Sequence, residues 1–195
     1  MSVMLKSHQR GMTLIESIIA IVILGIAMVS LTSLLFPNIR DSAAPHYQTR
    51  AIALGQSFMS QILARNFDHN SDYDGGVRRC DGFGSEGLTC TTTLGSDTGE
   101  TNAGNFNDVD DYIGCWYTDN TQADCISSTT HPLADVFGSS VNSDYTNFRV
   151  EVDVFYDANM DGNNDGGIGA LKRIEISVTA GQYGSYPLVA YKGNY

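Results

Sequence analysis

Basic side chains are scarce: 11 Lys and Arg stand against 22 Asp and Glu, a formal net charge of −11 at pH 7. A protein that grips phosphate backbones draws its affinity from clustered cations, and only Arg78 with Arg79 and Lys172 with Arg173 form even pairs here. Nucleic acid is excluded as a partner. The acidic surplus suits the surface of an exposed, soluble head. Patterns for catalysis are missing too. There is no G-x-S-x-G, no H-E-x-x-H and no P-loop, and His46, His69 and His131 stand apart along the chain. Gly82, Gly84 and Gly87 satisfy a G-x-G-x-x-G spacing, but between two cysteines rather than between a strand and a helix, so the match is accidental. The chain reads as non-enzymatic. Cysteine is limited to Cys80, Cys90, Cys115 and Cys125, with no C-x-x-C pair, which excludes a zinc knuckle and a thioredoxin-type redox site. An even count in an exported region implies two disulfides. Three pairings exist, and the equal ten-residue separations favour Cys80 with Cys90 and Cys115 with Cys125.

Charge is also missing from residues 18–36, a run rich in Ile, Leu and Val that as a helix is long enough to cross about 30 Å of hydrocarbon. Ahead of it lie Lys6, Arg10 and then Gly11. A secretory signal places its small-residue cleavage site after the apolar run and discards that run. Here the order is reversed. Cutting after Gly11 removes a short hydrophilic leader and leaves the apolar helix at a new N-terminus, Met12. Glu16 then stands out, because a charged group in a spanning helix costs about 2.5–3.5 kcal/mol at the bilayer centre and less near the interface. A terminal amine is the obvious partner. Within one helix the Met12 amine points away from Glu16, so a neighbouring copy must supply it, gaining about 4 kcal/mol at 4 Å and an effective dielectric near 20 before desolvation is subtracted.

Gly11, Met12, Thr13, Leu14, Ile15 and Glu16 followed by the apolar run resemble the class III signal of type IV prepilins and pseudopilins. The resemblance implies that a prepilin peptidase cuts between Gly11 and Met12 on the cytoplasmic side and methylates the Met12 amine. It implies that Glu16 pairs with another subunit's N-terminus during assembly, and that the chain waits in the inner membrane, head in the periplasm, before the assembly machinery moves it into a filament of other pilins. The family most often has Phe where this chain has Met12. Gly25 and Pro37 resemble the helix-weakening positions of pilin spines, or equally an ordinary transmembrane glycine and a helix exit. Beyond residue 36 the pattern of Pro45, His46, Tyr47, Arg50, Ala51, Leu54 and Gly55, and of Asp110, Asp111, Tyr112, Ile113, Gly114, Cys115 and Trp116, resembles the minor pilins of mannose-sensitive haemagglutinin pili. By that resemblance the chain is a minor pilin, with support of pilus assembly and surface attachment as its role. A type II secretion pseudopilin shares the leader, Glu16 and helix; a membrane-tethered periplasmic binding protein is the other alternative and leaves Glu16 unexplained.

Tyr47, Ala51, Leu54, Phe58 and Ile62 recur at spacings of three or four, so the helix continues out of the membrane to about Arg65, with Pro37 and Pro45 expected to bend or interrupt it. Its stripe should dock on the head's own sheet. Residues 66–147 are loop-rich, with the best strand at 112–117. Strict alternation over Phe148, Val150, Val152 and Val154, and over Ile174, Ile176 and Val178, marks two half-buried strands, and 187–191 marks another. The expected class is α+β: leader 1–11, membrane helix 12–36, amphipathic continuation 37–65 and an antiparallel sheet head 66–195. Between the two clearest strands, Asp157, Asn159, Asp161, Asn163 and Asp165 place oxygen ligands at alternate positions of an EF-hand-like loop, with Gly162 at its sixth position. No cofactor is required by this reading, and calcium is the candidate ligand. Ile168 replaces the expected bidentate Glu at position twelve, so the competing reading is a polar hairpin tip.

Overall fold

A computed structural model of the chain describes residues 13–71, 79–81, 88–118, 120–135, 139–141 and 143–194, the side chains of 36–42 excepted. Two compact units divide it, Met1–Pro45 and His46–Tyr195. Helix α1, Leu14–Leu63, begins in the first and ends in the second. Its helical backbone continues through Pro37 and Pro45, so neither proline interrupts it; each removes only one amide donor.

In the second unit β1 (Gly114–Tyr117), β2 (Thr130–Pro132), β3 (Phe148–Tyr156), β4 (Leu171–Ala180) and β5 (Ser185–Gly193) form one sheet in the order β2-β1-β3-β4-β5. The class is α+β, with pairs antiparallel except β1 with β2, which is parallel. Three residues of polar or exposed character make β2, which explains why no alternation announces it. The 112–117 expectation divides into a 3-10 turn, Asp110–Tyr112, and β1.

Period-two alternation sends Phe148, Val150, Val152 and Val154 of β3, and Ile174, Ile176, Val178 and Ala180 of β4, to one face, where all are buried. Period-3.6 spacing sends Ala51, Leu54, Phe58 and Ile62 of α1 into the same core. The stripe thus packs on the head's own sheet. Gly55 lets the two surfaces meet closely: a Cβ there would lie 2.6 Å from Leu188 Cδ1 and 3.1 Å from Val178 Cγ2. Trp116 packs edge-on to Phe58 and stacks on the half-buried His131 ring at 4.6 Å.

Disulfides join Cys80 to Cys90 and Cys115 to Cys125. The first lies with Phe67 and Tyr156 in a small satellite core, tied to the chain's end where Asn194 Nδ2 donates to the Cys80 carbonyl at 2.8 Å. The second tethers the loop after β1. Gly82, Gly84 and Gly87 lie outside the described residues.

Candidate functional site

Leu14–Leu35 is the one described helix long and apolar enough to cross a membrane, with mean hydropathy 2.7 and no part of it buried within the chain. Leu14 and Ile15 at its start are 81% and 67% exposed. Such a surface needs lipid or other helices around it. Its hydroxyls are satisfied internally, as hydrocarbon demands: Ser30 Oγ donates to the Ile26 carbonyl at 2.9 Å, Thr32 to that of Met28 and Ser33 to that of Ser30.

Glu16 is the single carboxylate of this span, exposed and without an ion-pair partner among the described residues. Thr13 precedes the helix, and its Oγ1 accepts the Glu16 amide at 3.4 Å while its carbonyl accepts the Ser17 amide at 3.2 Å. Thr13 with Glu16 therefore has the T-x-x-E spacing of a capping box, a local role the sequence reading passed over. An acid in the first turn also meets the positive end of the helix dipole, worth about 0.3–1 kcal/mol at a surface. Gly11 and Met12, the expected cleavage and methylation positions, lie outside the described residues.

The hairpin between β3 and β4 gathers Asp157, Asn159, Asp161, Asn163 and Asp165 into a tightly hydrogen-bonded tip. Asp157 is fully buried; its Oδ1 accepts the Asp161 amide at 3.0 Å, and its Oδ2 accepts the Gly162 amide at 3.0 Å and the Tyr191 hydroxyl at 2.8 Å. Gly162 holds φ +87, the left-handed conformation that lets the chain turn at this point. Asp161 accepts the Asn163 amide at 2.8 Å, and Asp165 Oδ2 accepts that of Ala158 at 2.8 Å. The backbone amide of Asn163, and then its side-chain amide, hold the exposed Asp161 carboxyl below its ordinary range. A cationic group is already present: Arg173 Nη1 lies 3.9 Å from Asp157 Oδ2, and Arg173 Nε donates to Glu175 at 2.6 Å.

A polar centre that no motif announced lies under the sheet. Lys172 is fully buried; its Nζ donates to the Phe67 carbonyl at 2.7 Å, to Asp68 Oδ2 at 3.2 Å and to Asp110 Oδ1 at 2.5 Å, and lies over the Phe67 and Tyr156 rings. Burial would raise the Asp68 carboxyl, but the Thr91 hydroxyl, the Lys172 charge and two backbone amides bring it below its ordinary value. Burial and then the charges of Asp110 and Asp111 push Asp108 up to about 9. Burial also raises the Tyr156 hydroxyl. The signal was available in the parity of β4, since position 172 shares a face with Ile174, Ile176 and Val178.

No curated protein and no solved structure matches the chain. Residues 6–32 match the family model of the prokaryotic N-terminal methylation motif. That stretch holds Gly11, Met12 and Glu16 and reaches into the apolar span, so the chain carries a prokaryotic N-terminal methylation motif on a helix fit to cross a membrane, the combination found in type IV pilin-like and pseudopilin subunits.

Proposed function

We propose that the chain is a minor pilin of a mannose-sensitive haemagglutinin type of pilus, a structural, non-catalytic subunit held by its apolar helix in the inner membrane until it enters the filament. A prepilin peptidase cleaves between Gly11 and Met12 and methylates the new terminus; other pilins and the inner-membrane assembly machinery are the partners, and lipid surrounds the helix beforehand. The observation that carries this reading is Glu16. It is a lone carboxylate on an exposed apolar surface, with no ion-pair partner among the described residues, inside the stretch that matches the methylation motif. The dipole of its own helix offsets part of the desolvation cost and leaves the remainder to be met by an opposite charge from outside the helix.

Mass spectrometry of the protein purified from its native membrane tests this. A methylated Met12 terminus is expected, and an intact Met1 would make the helix a plain anchor. Recovery in sheared surface fibres distinguishes a pilus subunit from a type II secretion pseudopilin.

A further inference from the structure

The buried centre around Lys172 holds more chemistry than an ion pair requires. Lys172 Nζ stands 2.5 Å from Asp110 Oδ1 and 3.2 Å from Asp68 Oδ2, with all three side chains closed to solvent. The Phe67 and Tyr156 ring centres lie 4.8 and 5.3 Å from that nitrogen. A carboxylate oxygen of Asp108 comes within 4.8 Å of one from Asp68 and one from Asp110. The two acids that meet the lysine are held differently. Asp68 accepts the Thr91 amide at 2.9 Å, the Thr91 hydroxyl at 2.6 Å and the Asn70 amide at 3.1 Å, which favours its ionised form. Asp110 meets the lysine through Oδ1, while its Oδ2 accepts the Gly95 amide at 3.1 Å. Asp108, pushed up to about 9 by burial and then by the charges of Asp110 and Asp111, carries a proton at neutral pH.

An amine nitrogen, a carboxyl in contact with it, an N–H on the second carboxyl oxygen and a neutral acid beside them make up an amide-forming centre. In water, hydration of the separate ions opposes condensation of an ammonium with a carboxylate; burial withdraws that hydration, and the water released escapes to solvent. We propose that Lys172 and Asp110 condense into an intramolecular isopeptide bond between Nζ and Cγ. The ammonium first passes a proton to Asp110 Oδ1, leaving a neutral amine and a carboxylic acid. The nitrogen lone pair then forms the N–C bond at Cγ, and the Gly95 amide meets the charge that gathers on Oδ2. Asp108 gives its proton to the departing Oδ1 hydroxyl and takes one from the nitrogen, so it ends as it began. The Cγ–Oδ1 bond breaks and one water leaves; nothing is oxidised or reduced. Asp68 keeps its charge throughout and, with the Phe67 carbonyl, fixes the nitrogen in place. The product joins positions 62 residues apart and ties β4 covalently to the 3-10 turn ahead of β1. Condensation follows folding, because the reacting groups meet only in the folded chain; freshly folded chain holds the ion pair, and its unfolding reads that pair alone.

Intact-mass and peptide-mapping spectrometry of the full-length chain, stored folded in detergent micelles and then reduced and denatured, tests the bond. The expected mass is lower by one water than that of the unlinked chain, and the digest contains one branched peptide that joins the segments holding Asp110 and Lys172. Lys172→Arg and Asp110→Ala each remove a partner and keep their full mass whether or not they fold. Asp108→Asn replaces a neutral carboxyl by a neutral amide of similar shape; it keeps the parent's circular dichroism and slows closure by about tenfold or more. A folded parent that keeps its full mass on prolonged storage overturns the proposal. So does a water lost without a branched peptide, the mark of cyclisation at the Asp-Gly steps of Asp161 or Asp165, or a branch through Asp68 in place of Asp110. Closure at the parent's rate in folded Asp108→Asn removes Asp108 from the step.

Discussion

Lys172 Nζ lies 2.5 Å from Asp110 Oδ1, with both side chains closed to solvent. The contact joins β4 to the 3-10 turn ahead of β1, and through Asp68 and the Phe67 carbonyl it also holds the chain that leaves α1. A buried ion pair gives weak net stability, yet removing one partner strands the other. Lys172→Met is therefore expected to cost about 3–5 kcal/mol in chemical or thermal unfolding of the full-length chain. Combining it with Asp68→Asn and Asp110→Asn should restore much of the loss. A single variant as stable as the parent would show that the pair does not organise this corner.

Gly55 offers a second test, in which two effects of similar size oppose each other. Alanine gains about 1 kcal/mol of helix propensity over glycine and meets Leu188 at a distance that costs about 1–3 kcal/mol in overpacking. Gly55→Ala should therefore change the unfolding temperature little or lower it slightly, and Gly55→Leu should lower it strongly. Adding Leu188→Ala to Gly55→Leu should recover part of that loss; no recovery would place the clash elsewhere.

The two roles open to Glu16 separate by mutation. Thr13→Ala removes the cap oxygen and should cost about 0.5–2 kcal/mol of local helix stability while leaving incorporation into sheared filaments near the parent level. Glu16→Ala should leave membrane insertion intact and reduce incorporation at least tenfold. Equal incorporation of both variants would reduce Glu16 to a capping residue.

At the β3–β4 hairpin, Asp157 anchors the turn through two backbone amides and the Tyr191 hydroxyl. Asp157→Ala is expected to cost about 1–3 kcal/mol in chelator and in calcium alike. A rise in the parent's unfolding temperature with calcium, lost in Asp157→Ala and Asp161→Ala, would instead make the loop a calcium clasp.

Asp153 and Glu175 are cross-strand partners, both lining an open groove of about 470 Å³ on the outer face of the sheet. Burial first, then the charge of Glu175, raises the Asp153 carboxyl above its ordinary value. An acid raised in the folded state binds protons more tightly there than in the unfolded chain. Its contribution is thus present at low pH and lost as pH rises from the ordinary value near 4 through the folded one. Asp153→Asn should stabilise the head at pH 7 by a few tenths of a kcal/mol, about the size of a cross-strand like-charge penalty, and by nothing near pH 3. An equal gain at both pH values would assign the effect to packing.

Much of this architecture was legible because its physics is periodic. Alternation along 148–154 and 174–178 requires one wet and one dry face, and both strands were found extended by a residue or more beyond the visible pattern, to Phe148–Tyr156 and Leu171–Ala180. The stripe from Ala51 to Ile62 likewise requires a partner surface, and the sheet is that partner. Strand β2 escaped notice because it borrows its hydrogen bonds from β1 and contributes little apolar area of its own. Lys172 stands in the sequence as half of a basic pair with Arg173, and strand parity places it inward; an inward lysine is tolerable only where carboxylates meet it, and these arrive from positions 68 and 110.

By itself the sequence determined the uncharged helix, its lone Glu16, the methylation motif and the alternation of the central strands, since each depends on neighbours within a few residues. Tertiary structure alone decided which distant acids share a site. Asp68 and Asp110 come together around Lys172 across tens of residues without any spacing rule. Their chemistry is set by burial and by the charges that face them, quantities that exist only once the loops have closed over the end of the helix.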